Sequence, residues 1–269
     1  MAMTHDHSIS TSQQQGQLQT PSTIEVRKVA VAAPITWLQK GWDDFYRIPA
    51  LSLLYGLLSV AGCYLMYIYA RESLALLLGL FSGVLLAGPF VAVGLYAAAR
   101  DMEAGHPATI GRSLRSIGAA ALRIALISVF LAVVYILWLR VSSIIVALHY
   151  AAFQPDAVQL AVVNMDWGTL SVLALYLGIG LLFSILVFMT MAVSLPLILD
   201  RNVDPVTAVL TSIRAVNANR VPMLLWAVLI AAAAVVSFAT AFLGFAVLFP
   251  VLGYATWHSY RDLVVTEQP

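Results

Sequence analysis

Charge is scarce in this chain. Only 10% of its 269 residues are Asp, Glu, Lys or Arg, while 61% are apolar; a soluble domain carries roughly 25% and 45–50% of each. That thin coat of charge excludes a water-soluble surface. A net charge of +1 with the basic residues spread out excludes a nucleic-acid partner, which needs a concentrated positive face to release counterions from phosphates. The single cysteine, Cys63, excludes an intrachain disulfide and reads as a small buried apolar side chain. Acids and lysines are missing from the interiors of the apolar runs, which removes the usual carriers of a proton or ion relay. The first 26 residues lack the apolar core of a secretory signal. Rich in Ser, Thr and Gln, they cannot bury enough surface to offset chain entropy, so residues 1–34 are expected to form a disordered cytoplasmic tail.

What the sequence has in abundance is long apolar runs. A membrane crossing needs about 20 such residues. Ala50–Ala70, Leu74–Ala99, Ala119–Leu139, Leu170–Leu199 and Met223–Ala241 meet that requirement. The last run continues to Trp257, about 35 residues or some 50 Å of helix, so it must fold back near Phe242–Phe245 and supply a sixth span. With six spans, twelve cations fall on one side: Arg27, Lys28, Lys40, Arg47, Arg100, Arg112, Arg115, Arg123, Arg201, Arg214, Arg220 and Arg261. Only Arg71 and Arg140 fall on the other. Because positive charge is retained in the cytoplasm, both termini are expected there. Trp37, Trp42, Tyr96, Trp226 and Trp257 then fall near the inner interface, and Tyr64, Tyr67, Tyr69, Trp138, Tyr150 and Trp167 near the outer one.

Segments of the chain echo one another. "PFVAVGLYAAARD" (89–101) and "PVLGYATWHSYRD" (250–262) both read proline, ten residues, then Arg-Asp, and "PLILDR" (196–201) is a looser version. "RIPALSLLYGLL" at Arg47 resembles "RVPMLLWAVLI" at Arg220, and "HPATIGRSLRSI" at His106 resembles "DPVTAVLTSIRAV" at Asp204. The fold class this predicts is all-α, a polytopic bundle of six transmembrane helices within 35–265. It is built from three repeated units, about 35–101, 106–201 and 204–262, each a short interfacial helix followed by a hairpin of spans. In the first interfacial helix, Leu38, Trp42, Phe45 and Pro49 are spaced to face lipid, with Lys40, Asp43, Asp44 and Arg47 facing water.

"GPFVAVGLYAAARDMEAGHP", "LPLILDRNVDP" and "PVLGYATWHSYRDL" resemble the signatures of a family of proteobacterial six-span integral membrane proteins, domain of unknown function 2189, sometimes auto-labelled cytochrome c oxidase subunit I. The resemblance covers about 35–265 and implies an inner-membrane location and a common fold. The oxidase label fails on the residues. Haem and copper need several histidines inside the spans, and the five here are His5, His7, His106, His149 and His258, none at mid-membrane. No cofactor or metal is expected, and His258 is read as an interfacial residue because its counterpart in the first unit is Ala97.

Two functional readings stay open. The bland spans favour a non-enzymatic accessory or scaffold protein for a membrane complex, with the bilayer and another membrane protein or a second copy as partners. Prolines at matching places, Pro89, Pro196 and Pro250, favour a passive or weakly coupled permease, since broken helices free backbone groups that bind substrates. Gly79, Gly83 and Ala87 form a small-residue stripe for helix packing. Arg100, Asp101, His106, Asp200, Arg201, His258, Arg261 and Asp262 gather at the cytoplasmic ends of the returning spans, and an enzyme would require some of them to converge.

Overall fold

The computed structural model describes residues 24–72, 88–149, 163, 166–201 and 203–265. In chain order the helices are α1 (Ala33–Arg47), α2 (Pro49–Ala70), α3 (Val93–Glu103), α4 (Ile110–Ala119), α5 (Ala121–Leu148), α6 (Trp167–Met191), α7 (Ser194–Asp200), α8 (Pro205–Ala218), α9 (Arg220–Ala239) and α10 (Phe245–Leu263). Several begin where the side chains dictate. Asp204 caps α8 by accepting from the Thr207 N–H at 3.0 Å, and Pro205 follows at a position that has no N–H to satisfy. Asp166 caps α6 through the Gly168 and Thr169 N–H groups, and Thr109 caps α4.

Three times a short helix runs into a long one through a single residue of similar backbone conformation. Ile48 (φ −133°, ψ 61°) joins α1 to α2, Ala120 (φ −102°, ψ 5°) joins α4 to α5, and Asn219 (φ −127°, ψ 44°) joins α8 to α9. Each junction breaks the helical backbone at one residue and separates a short helix from a long apolar one.

Four helical stretches are long and apolar enough to cross a membrane: Pro49–Ala70, Ala121–Leu148, Trp167–Asp200 and Arg220–Ala239. Little of each is covered by protein, and Leu57, Leu122, Val129, Leu177 and Val235 are exposed, as expected of surface that meets lipid. The run after Ala239 does reverse. Thr240–Gly244 form a turn in which Ala241 and Phe242 take positive φ of 50° and 70°. The Phe242 ring anchors that turn between Tyr64 and Phe238. Helices α9 and α10 are antiparallel, because Trp37 meets Trp226 near the start of α9 and Asp262 at the end of α10. About 28 Å long, α10 matches a crossing in length but carries Trp-His-Ser-Tyr-Arg-Asp in its last third. Protein covers it there: Tyr254, Trp257 and Tyr260 are fully buried.

The core lies at the charged end, around α10. Two glycines set how closely other helices approach it. A Cβ on Gly56 of α2 would sit 2.0 Å from the Ala246 carbonyl, and one on Gly41 of α1 would sit 2.5 Å from that of Val251. Helix α1 therefore has three faces. Pro34, Trp37, Gly41, Asp44 and Phe45 face protein, Ile35, Trp42 and Tyr46 are exposed apolar residues, and Lys40, Asp43 and Arg47 are exposed charges. This corrects the sequence expectation for Asp44 and Phe45, which point at α10 and not at water or lipid. It also corrects the inner aromatic belt. Of its five members only Trp42 is exposed, whereas Trp37, Tyr96, Trp226 and Trp257 are core residues.

Candidate functional site

The C-terminal ends of α3, α7 and α10 converge, and each is tied to another by an arginine. Arg100 of α3 donates to the Leu199 carbonyl in the last turn of α7 at 2.8 Å. Arg201, just after α7, donates to the Val265 carbonyl, just after α10, at 3.0 Å. Arg261 of α10 pairs with Glu103, the last residue of α3, at 2.9 Å. The three contacts close a cycle from α3 to α7, from α7 to α10 and from α10 back to α3. Helix C-termini present unsatisfied carbonyls and partial negative charge, so a cation near each is favourable by about 0.3–1 kcal/mol, more where partly buried.

Further polar contacts brace the cycle. Asp200 accepts from the Tyr260 hydroxyl at 2.6 Å and lies 3.5 Å from Arg261. Trp257 donates its indole N–H to Glu103 at 2.9 Å. Arg100 also donates to the Ser116 hydroxyl, and buried Asp101 pairs with Arg112 at 3.3 Å, which together hold α4 against α3. Helices α3 and α10 run parallel, Gly253 lying against Leu95 and Trp257 and Arg261 reaching Glu103.

A second seam joins α1 to α10. His258 Nε2 lies 2.7 Å from Asp44 Oδ2, with Arg47 3.5 Å from the same carboxylate. One turn further on, Trp37 donates to Asp262 at 2.7 Å, and Lys40 is 3.9 Å from it. Beside this seam the segment before α1 meets the segment after α10. Val26 bridges Val264, Arg27 N–H donates to the Leu263 carbonyl, and Val265 N–H donates to that of Glu25. Asn219 fastens the incoming segment, accepting from Val29 N–H and donating to the Arg27 carbonyl.

The three prolines occupy different local settings. Pro89 lies in helical residues 88–91, ahead of an interruption at Ala92. Pro196 is the third residue of α7, behind an interruption at Ala192 and Val193. Pro250 is buried within continuous α10. At the second interruption a hydroxyl enters the helix ladder. Ser212 of α8 accepts from the Val193 N–H at 3.3 Å and donates to the Met189 carbonyl at 2.8 Å, standing in for the helical bond those two groups would form with each other. Proline at 196 has no N–H to offer the Ala192 carbonyl, so the break sits one turn before it.

The structure thus brings together Arg100, Asp101, Asp200, Arg201, His258, Arg261 and Asp262, while His106 is exposed in the turn after α3. Gly79, Gly83 and Ala87 lie outside the described residues, as do His5 and His7. No cluster of three or more His, Cys, Asp or Glu side chains suited to a metal occurs among the described residues. Sequence reasoning missed Trp37 and Asp44, although with Gly41 they share the spacing of one helix face. It also missed Ser212. Outside the membrane runs, hydrogen bonds from the Thr207 hydroxyl and N–H hold the Asp204 carboxyl below its ordinary pKa.

Residues 76–200 match the family described as "Predicted integral membrane protein (DUF2189)". The match takes in α3 to α7 and leaves the α10 signature outside it. No curated protein and no solved structure matches the chain.

Proposed function

We propose that this chain, an integral membrane protein by its family match and its four membrane-length helices, is a non-enzymatic accessory or scaffold protein that supports a partner complex in a bacterial inner membrane. Six spans are reached by adding α10 and the span that ends in α3 to the four. Three interfacial-helix and hairpin units follow, each opening on one of the single-residue junctions, with both termini cytoplasmic as the twelve-to-two cation count requires.

The observation that carries this reading is the arginine cycle. Arg100, Arg201 and Arg261 each bind the end of another unit's returning helix, so the charged groups at the convergence hold units together and form no open reactive cleft. Purification of the native protein in mild detergent tests it: a stoichiometric membrane partner supports a scaffold, and a lone protein argues against one. Reporter fusions after Pro269 and within 154–166 should report opposite compartments, cytoplasm and periplasm.

A second reading, a passive or weakly coupled permease, draws on the interruptions at Ala92 and at Ala192 and Val193. In that reading the Met189 carbonyl and the Val193 N–H, held here by Ser212, would be released to a substrate, and the arginine cycle would be the closed cytoplasmic gate. Labelling of a cysteine placed at Ser194, fully buried here, by a membrane-impermeant thiol reagent would favour this reading over the first.

A further inference from the structure

At the charged end of the bundle, acids are scarcer than cations. Arg27, Lys28, Arg115, Arg123, Arg214 and Arg220 have no carboxylate in ion-pair range among the described residues, while the acids there are mostly taken by Arg47, Arg100, Arg112, Arg261, Lys40 and His258. Glu25 and Asp43 alone are acids at this end with neither an ion pair nor a capping role among the described residues.

One of these cations is held unlike the rest. Arg123 is the third residue of α5, just past the Ala120 junction, and its Nε is buried with no hydrogen-bond acceptor among the described residues. With Nε enclosed by protein, the two terminal nitrogens are what the side chain can offer a bound group, and they too make no hydrogen bond among the described residues. Its surroundings are those of a lipid-facing helix end. Leu122 and Leu126 are 75% and 54% exposed, Val129 and Phe130 continue the apolar strip along α5, and Ile110 and Leu114 expose an apolar edge on α4.

We propose that Arg123 seats the phosphate of one anionic phospholipid of the adjoining leaflet, with its acyl chains along Leu122, Leu126 and Phe130. The two terminal nitrogens of a guanidinium donate side by side and so match two phosphate oxygens. The surplus of unpaired cations selects a headgroup with net negative charge over a zwitterionic one, because a choline or ethanolamine would add to the local positive field. The proposal rests on the reading that the interfacial helices lie at one leaflet, which the reporter fusions test separately from the lipid itself.

Native mass spectrometry of the detergent-purified full chain tests it, with phosphatidylglycerol, phosphatidylcholine or inorganic phosphate added. The expected result is one phosphatidylglycerol retained under conditions that strip phosphatidylcholine, with retention falling at least about tenfold in Arg123→Gln and unchanged in Arg220→Gln. Equal retention of the two lipids, or undiminished retention in Arg123→Gln, would overturn the proposal. Displacement of the lipid by millimolar inorganic phosphate would assign the seat to free phosphate instead and overturn it as well. Should Arg123→Gln not fold, the wild-type melting temperature decides: phosphatidylglycerol must raise it and phosphatidylcholine must not, and equal shifts reject the site.

Discussion

His258 Nε2 lies 2.7 Å from Asp44 Oδ2 across 214 residues of sequence, and this contact fixes α1 onto α10. Asp44 is only 4% exposed, so its charge depends on that partner and on Arg47. Hydrogen bonds to charged groups contribute about 1.5–3 kcal/mol. His258→Ala should cost an amount in that range, seen as a lower melting temperature in detergent. Asp44→Asn in the same background should add little, because the two changes remove one interaction. Strictly additive losses would show that the contact contributes nothing.

The tight glycine of α2 gives a sharper contrast. A methyl group at Gly56 would collide with the Ala246 backbone at 2.0 Å, whereas at Gly62, on the same helix, nothing lies within 4 Å. Gly56→Ala should therefore destabilise the protein by about 1–3 kcal/mol through overpacking. Gly62→Ala should be neutral or slightly stabilising, since alanine favours the helix. Melting both variants side by side checks the prediction, and equal behaviour refutes it.

Ser212→Ala removes the hydroxyl that bridges Met189 and Val193. Either those two groups rejoin and the helix straightens, or they remain buried and unsatisfied at about 1–3 kcal/mol. Loss of stability together with faster hydrogen exchange at the Val193 amide is the expected outcome. Slower exchange and a higher melting temperature would mean that the hydroxyl forces the break instead of tolerating it.

Asp204 predicts a pH dependence. Its folded pKa is below the ordinary 3.8, chiefly through the Thr207 hydroxyl and then the Thr207 N–H. A depressed carboxyl stabilises the fold above its unfolded pKa, and that contribution is lost as pH falls through the lower folded value. The first turn of α8 should thus keep its exchange protection at neutral pH and lose it below about pH 4. Asp204→Ala should remove about 1 kcal/mol at pH 7 and abolish the acid step in that turn.

Much of this was visible in the residues, for a physical reason. Spans declare themselves through apolar length, because lipid acts on each helix separately, and the reversal after Ala241 followed from a run too long for one crossing. Protein contact between distant segments carries no such local mark. Asp44 reads as a water-facing charge until His258 is set beside it. Trp37, Trp226 and Trp257 read as interface aromatics until they are found packed in the core. Arg100, Arg201 and Arg261 stand out in the sequence only as cations beside apolar runs, and their acceptors include two backbone carbonyls, which are the same at every position and leave no trace in sequence. Helix α10 shows the converse, since a helix wrapped by its own protein is released from the demand for apolar residues that identifies the four membrane-length helices.

The pairing of α1 with α10 also bears on biogenesis. The protein-facing side of α1, with Trp37, Gly41 and Asp44, is covered mainly by α10, which is translated long after it. Until about 220 further residues have been translated, that face has only the bilayer surface or an assisting factor to shield it. The closing contacts of the arginine cycle, through Arg261 and Val265, wait equally long. A nascent chain interrupted before Phe245 would expose an aspartate without its His258 partner and a bare glycine face, marks by which a membrane protease could tell an unfinished molecule from a finished one.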